Sequence, residues 1–118
     1  MRVLVCGDRD WTEPETIADR LSKLPKDTVI IEGEARGADS LGKKEALRLG
    51  LLVLAFPAQW DIHGKAAGPI RNQKMLKEGK PDLVLAFHND IEHSKGTKHM
   101  VQIARKAGVP VEIISDVG

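Results

Sequence analysis

The chain has 118 residues, the size of one domain, and its 18 lysines and arginines nearly balance its 17 aspartates and glutamates. Domains that hold duplex DNA by its phosphates are strongly basic, so this balance disfavours nucleic acid as a partner. Hydrophobic residues make up 42% of the chain but aromatics only 3%, with two Trp, two Phe and no Tyr, too few for a platform that stacks successive bases.

Val3-Leu4-Val5-Cys6, ending at Gly7, predicts a first strand buried on both faces. A helix follows, with Thr12 as its N-cap, Pro14 in the first turn and Glu15 closing a capping box. Ile17, Leu21 and Leu24 form its apolar face, and Pro25 ends it. Val29-Ile30-Ile31 is the second strand. Ala38 to Leu49 is the second helix, stopped by Gly50. Leu51 to Phe56 is the third strand, closed by Pro57. Ala58 to Pro69 predicts a long connection, and a helix then runs from about Ile70 to Gly79. Leu83 to Phe87 is the fourth strand, His88 to Lys95 a polar loop, Gly96 to Ala107 a helix and Val109 to Ile114 the last strand. Alternating helices and continuous apolar strands predict an α/β fold: a Rossmann-like open parallel sheet with helices on both faces, spanning residues 1–118 as one domain.

One cysteine, Cys6, excludes an intramolecular disulfide framework and a Cys-based zinc site. The apolar start is too short for a signal-peptide core, and no apolar run reaches membrane-spanning length, so a cytoplasmic protein without a membrane partner is expected.

The polar and glycine clusters all follow strands: Gly7 to Trp11, Gly33 to Asp39, Pro57 to Trp60, and His88 to Thr97, with Ala67 to Asn72 in the long third connection. The loops at the opposite edge, Leu24 to Thr28 and Gly79 to Pro81, are short and plain. In an open parallel sheet, ligands bind outside the carboxyl ends of the strands, so the asymmetry predicts one composite site. Arg9, Arg36 and Arg71 sit in glycine-bearing loops and suit phosphate or carboxylate. Ser94-Lys95-Gly96-Thr97 opens a helix whose free N–H groups suit an anion. Asp61 to Lys80 carries five lysines and arginines against two acids, although its lysines also suit a solvated helix face. A phosphorylated small molecule is the expected ligand.

Several alternatives fare worse. The P-loop and G-x-G-x-x-G signatures are absent. His88-x-Asp90-x-x-His93, with His99 beyond, lies in a loop without the spacing of a metal site, so neither metal nor cofactor is expected. His88 suits a ligand contact or a turn, and Asp39 a helix cap or a ligand contact. Trp60 and Trp11 each suit an apolar cover or a stacking partner for a base. Cys6, Met75 and Met100 read as core.

Gly7-x-Arg9-x-Trp11, Gly33-x-Ala35-Arg36-Gly37-Ala38-Asp39, Pro57-Ala58-x-Trp60, the block from Lys65 to Leu76 around Ala67-Gly68-Pro69-Ile70-Arg71-Asn72, and Lys95-Gly96-Thr97-x-x-Met100 together resemble the YspA-related branch of the SLOG superfamily. That superfamily also holds the LOG-type phosphoribohydrolases and the DprA/Smf proteins. The resemblance covers nearly the whole chain. It implies a Rossmann-like fold, a nucleotide-derived ligand, a bacterial or phage setting (host cytoplasm if phage-encoded) and, since relatives are often dimeric or larger, a homodimer. Carried onto this sequence, it assigns ligand binding to Gly7, Arg9, Gly33, Arg36, Gly37, Asp39, Arg71, Asn72, Gly96 and Thr97. Position alone adds Trp11, Trp60, Gly68, His88 and Lys95 to that set.

Two departures matter. Against the LOG pattern Gly-Gly-x-Gly-Thr-x-x-Glu, Ser94 takes a glycine position and Met100 the glutamate position; Glu34 stands where the branch commonly has a second glycine. Cleavage of an N-glycosidic bond usually needs a carboxylate, which Met100 cannot supply. Asp39 and Asp90 are the catalytic candidates that are left. The expected function is therefore binding or sensing of a nucleotide-derived small molecule. Hydrolysis of an N-glycosidic or phosphoester bond in such a ligand is the alternative, and single-stranded DNA binding is the third.

Overall fold

Short runs of Val, Ile and Leu pair side by side because β-branched and aliphatic chains fill a pleated surface covered from both sides. The computed structural model describes residues 1–116. Its strands are β1 (Arg2–Gly7), β2 (Val29–Glu32), β3 (Leu52–Ala55), β4 (Leu83–Phe87) and β5 (Val111–Ile114), and they form one sheet in the order β3-β2-β1-β4-β5. Every pairing is parallel, with Val3 opposite Ile30 on one side and opposite Leu83 on the other. The Rossmann-like α/β fold expected from the sequence is the one found.

The two sheet faces read directly off alternate residues. Val3, Val5 and Ile30 meet α1 (Pro14–Ser22) and α2 (Ala38–Arg48) through Ile17, Leu21, Ala38 and Ala46. Leu4, Cys6 and Ile31 meet α4 (Ala67–Gly79) and α5 (Gly96–Lys106) through Met75, Met100 and Ala104. Only the central strands are covered on both faces. β3 and β5 are the sheet edges, where Leu52 is 70% and Ile113 is 41% exposed, so double burial of every strand is corrected by topology.

Local differences from expectation have local causes. The cap of α1 is Glu13, whose carboxylate accepts from the Glu15 N–H at 3.2 Å, and Thr12 lies outside. Pro14 takes the first helical position, so the residue just before it becomes the cap. The long connection after β3 is partly helical: α3 (Trp60–His63) leads through a 3₁₀ turn into α4, which starts at Ala67 and takes Gly68 and Pro69 into its first turn. A proline there leaves no required hydrogen bond unmade.

Trp11 is buried, not displayed. It packs edge-to-face on Phe87 with ring centroids 5.8 Å apart, and its Nε1 donates to the Glu13 carbonyl at 2.7 Å. Trp60 is half exposed. Trp11→Ala is therefore expected to cost about 3–5 kcal/mol in urea denaturation, as for a truncated core aromatic. Trp60→Ala is expected to cost about 1 kcal/mol or less. Equal losses at the two positions would contradict this assignment.

Candidate functional site

The strand order reverses at β1. The chain leaves β1 toward β2 and crosses back after β3 to place β4 on the opposite side. Loops that leave β1 and β4 therefore part, and a cavity of about 540 Å³ opens between them at the carboxyl edge of the sheet. Cys6, Met75 and Met100 form its apolar floor.

Three loops and three helices, α2, α4 and α5, build the walls. After β1, the Asp8 side chain accepts from the Asp10 N–H, and the Asp8 carbonyl accepts from the N–H groups of Trp11 and Ala38. Gly37, at φ 75°, sits against that turn, where a Cβ would strike the carbonyl oxygens of Asp8 and Arg9. After β2, the Asp39 carboxylate turns back on its own loop and accepts from the N–H groups of Gly33 at 3.0 Å and Ala35 at 3.4 Å. It does not cap α2, whose N-cap is Gly37 with no side-chain bond, because its carboxylate is taken up by the loop ahead of the helix; it closes that loop and lines the cavity.

Arg71 reaches in from α4. Its Nη1 donates to the Gly33 carbonyl at 2.6 Å, and its Nε donates to Asn72 Oδ1 at 3.0 Å. A side chain at Gly33 would occupy the space of that guanidinium. Asn72 continues the chain of contacts: its Nδ2 reaches the Gly96 carbonyl at 3.3 Å and His99 Nδ1 at 3.1 Å. Arg71 and Asn72 thus tie the loop after β2 to the start of α5.

The N-cap of α5, Lys95, makes no side-chain cap bond, and Ser94 Oγ accepts from the Lys98 N–H of the first turn at 2.9 Å. The Cα of Gly96 faces open space, so a ligand can approach the backbone there. Ahead of it, His88 Nδ1 accepts from the Asp90 N–H at 2.9 Å, and His93 Nδ1 pairs with Asp90 Oδ1 at 2.7 Å.

Burial raises the Asp39 carboxyl to about 6, with the Arg71 charge and the two loop N–H groups holding it from going higher. Burial in turn lowers Arg71 below the usual guanidinium value, opposed by Asp39. Glu32, at the end of β2, is pushed up to about 8, first by burial and next by the Glu34 carboxyl beside it. Burial likewise raises the Cys6 thiol, so it is no nucleophile at neutral pH. His93 is raised by its bond to Asp90.

Gly7, Arg9, Arg36, Asp39, Arg71 and Asn72 all line the cavity, as do His88, Asp90, Lys95, Gly96 and Thr97. Five other expected residues do not. Trp11 is core; Gly33 and Gly37 let neighbouring loops close on one another; Gly68 lies buried under Trp60. Trp60 itself stands outside the lining, with the Arg9 guanidinium 6.0 Å from its ring centre. Asp8 and Asp10 line the cavity without having been expected there, and so does His93, which the sequence offered only as part of a metal cluster that was set aside. The His93–Asp90 spacing of three was visible in the sequence, but only the 3₁₀ turn Ile91–His93 brings the two side chains together.

The folded-state Asp39 carboxyl lies above its ordinary value of 3.8. Its stabilising contribution is therefore complete below that value and is lost as pH rises through about 6. The unfolding free energy of the protein relative to Asp39→Asn is expected to fall across that window and then level off. A difference independent of pH would show that Asp39 is not held as described.

The fold is shared with DNA processing protein A (DprA) from Streptococcus pneumoniae, at a TM-score of 0.77 and 19% identity over 95% of this chain. The chain spans about half of that protein, 49% of its length. The Gene 61 protein of Mycobacterium phage D29 is 39% identical over 119 residues, covering 93% of each chain. The model of the YspA, cpYpsA-related SLOG family matches residues 1–63, which hold the loops after β1 and β2. On this match and the phage relative, the chain belongs to the YspA, cpYpsA-related SLOG family.

Proposed function

We propose that the cavity binds a nucleotide or nucleotide-derived small molecule, with a phosphate group at the start of α5 and the guanidinium groups of Arg9, Arg36 and Arg71 on its other anionic or polar groups. The observation that carries this reading is their convergence: three arginines and the Gly96–Thr97 start of a helix face one cavity at the switch point of a parallel sheet. Helix N–H groups and planar guanidinium forks are suited to phosphate oxygens. The volume of about 540 Å³ accommodates one nucleotide-sized molecule. Trp60, backed by Arg9, offers an aromatic edge at the rim. Among the described residues no helix is long and apolar enough to cross a membrane. The phage relative favours a ligand met in the host cytoplasm.

A second reading, hydrolysis of a phosphoester or N-glycosidic bond in that ligand, draws support from the Asp90–His93 pair. A carboxylate that orients an imidazole is a general acid–base arrangement. Single-stranded DNA stays as a third candidate, since a structural neighbour is named for DNA processing.

Isothermal titration against nucleoside mono- and diphosphates, cyclic nucleotides and ADP-ribose derivatives tests the first reading. At least one is expected to bind. Arg36 is exposed and, among the described residues, paired with Asp10 at 3.2 Å, so Arg36→Ala is expected to leave the fold intact and weaken binding about tenfold or more. No heat with any ligand, or undiminished binding in the Arg36→Ala, Arg71→Ala double variant, would contradict the site. Product release lost in Asp90→Asn would support the hydrolytic reading. A gel shift that weakens steeply with salt would favour DNA instead.

A further inference from the structure

The two edges of the sheet are unlike. β5 carries Glu112 at an exposed position, and its carboxylate is bound to Arg20 of α1 at 2.6 Å. A charged side chain blunts an edge strand against pairing with another chain. β3 has no such guard: the run from Gly50 to Gln59 holds no charged residue. Leu52 is 70% and Leu54 37% exposed, although Ile30 and Ile31 on the neighbouring strand are fully buried. Leu47 and Leu49 at the end of α2 and Ile62 in α3, which flank β3 along the chain, are exposed as well.

The backbone of this edge is set for pairing. The Phe56 N–H donates to the Glu32 carbonyl at 2.8 Å, so by alternation Leu54 and Leu52 also turn their backbone groups inward to β2. Val53 and Ala55 therefore turn theirs outward, where no strand of the described sheet lies. Leu54 sits beside Ile31 on the sheet face toward α4, and Val53 beside Ile30 on the face toward α2.

We propose that β3 pairs antiparallel with β3 of a second copy of this chain, about a two-fold axis through Leu54, joining the two sheets into one. In that register Val53 exchanges both backbone bonds with Ala55 of the second copy, and the symmetry repeats the exchange. Leu54 meets its own copy as a non-hydrogen-bonded pair, where side chains approach most closely, and Leu52 meets Phe56 on the same face.

Charge selects a second copy as the occupant. A two-fold axis sets residues of the patch near their own copies, so a charge there meets its like. The charge-free run from Gly50 to Gln59 removes that repulsion and offers nothing to a partner of opposite sign. The cavity opens between β1 and β4, away from this edge, so pairing leaves it accessible in both copies and does not depend on the ligand reading.

Sedimentation velocity over a concentration series tests the pairing. The native chain is expected to sediment as a dimer that dissociates on dilution. Leu54→Lys sets two lysines on the axis, and Ala55→Pro removes an outward N–H while leaving the bonds to β2. Each is expected to sediment as a monomer with native circular dichroism. Ile113→Lys, at the β5 edge, is expected to stay a dimer. In Leu54→Cys the paired Cα atoms stand roughly 4.5 Å apart, within disulfide reach. Oxidation is expected to link that variant into a dimer and to leave Ile113→Cys unlinked, with the native Cys6 buried. A native chain that stays monomeric overturns the proposal and leaves the edge to a strand of another protein. A dimer that survives both Leu54→Lys and Ala55→Pro, or an unlinked Leu54→Cys, overturns the assignment to β3.

Discussion

The architecture of the site depends on one half-buried cation. Arg71 lies between the loop after β2 and the start of α5, held by the Gly33 carbonyl on one side and by Asn72 on the other. A guanidinium withdrawn from water needs an opposing charge and filled hydrogen bonds. Asp39 supplies the charge, and its carboxylate also gathers the Gly33 and Ala35 N–H groups. Arg71 and Asp39, each bonded to the backbone of Gly33, thus order two loops and join the α2 and α4 sides of the sheet. Its consequences extend to sequence: Gly33 must be glycine for the guanidinium to lie where it does.

This arrangement gives the glycines of the motifs two different roles. Gly33 and Gly37 permit loop-on-loop contact. Gly96 has open space before it, at the start of a helix whose N-cap residue makes no side-chain bond. Glycine-rich loops in nucleotide sites are usually explained by close approach of the ligand. Here most of that closeness is between parts of the protein, which preorganises the arginines so that less order has to be imposed when a ligand arrives.

Much of the fold was legible because periodicity and punctuation agree. Aliphatic runs ending at Gly7 and Gly33 and helices closed by Gly50, Gly79 and Gly108 locate the elements to within a few residues. Strand order is a property of the chain's path, not of any segment, so the edge positions of β3 and β5 and the exposure of Leu52 were not readable. The cavity-lining arginines were legible from their placement after strands. The tryptophans were not: Trp11 and Trp60 occupy similar loop positions, and only packing against Phe87 separates the core ring from the rim ring. Glu32 escaped notice for the same reason, and His93 was visible only as a discarded metal candidate, since burial and side-chain pairing are made by tertiary contacts. Met100, in place of the glutamate of the LOG pattern, lies on the cavity floor as an apolar residue, so any proton transfer must come from other groups on the wall.

The central claim is that a phosphate-bearing ligand sits between the start of α5 and the arginine loops. An amide-detected NMR titration of the full chain with ADP tests it most directly. The account predicts that the largest shifts fall on the Gly96 and Thr97 amides and in the loops at Gly7–Asp10 and Gly33–Gly37. Shifts confined to the opposite edge of the sheet, or to the exposed face of α4 around Lys74 and Lys77, would contradict it.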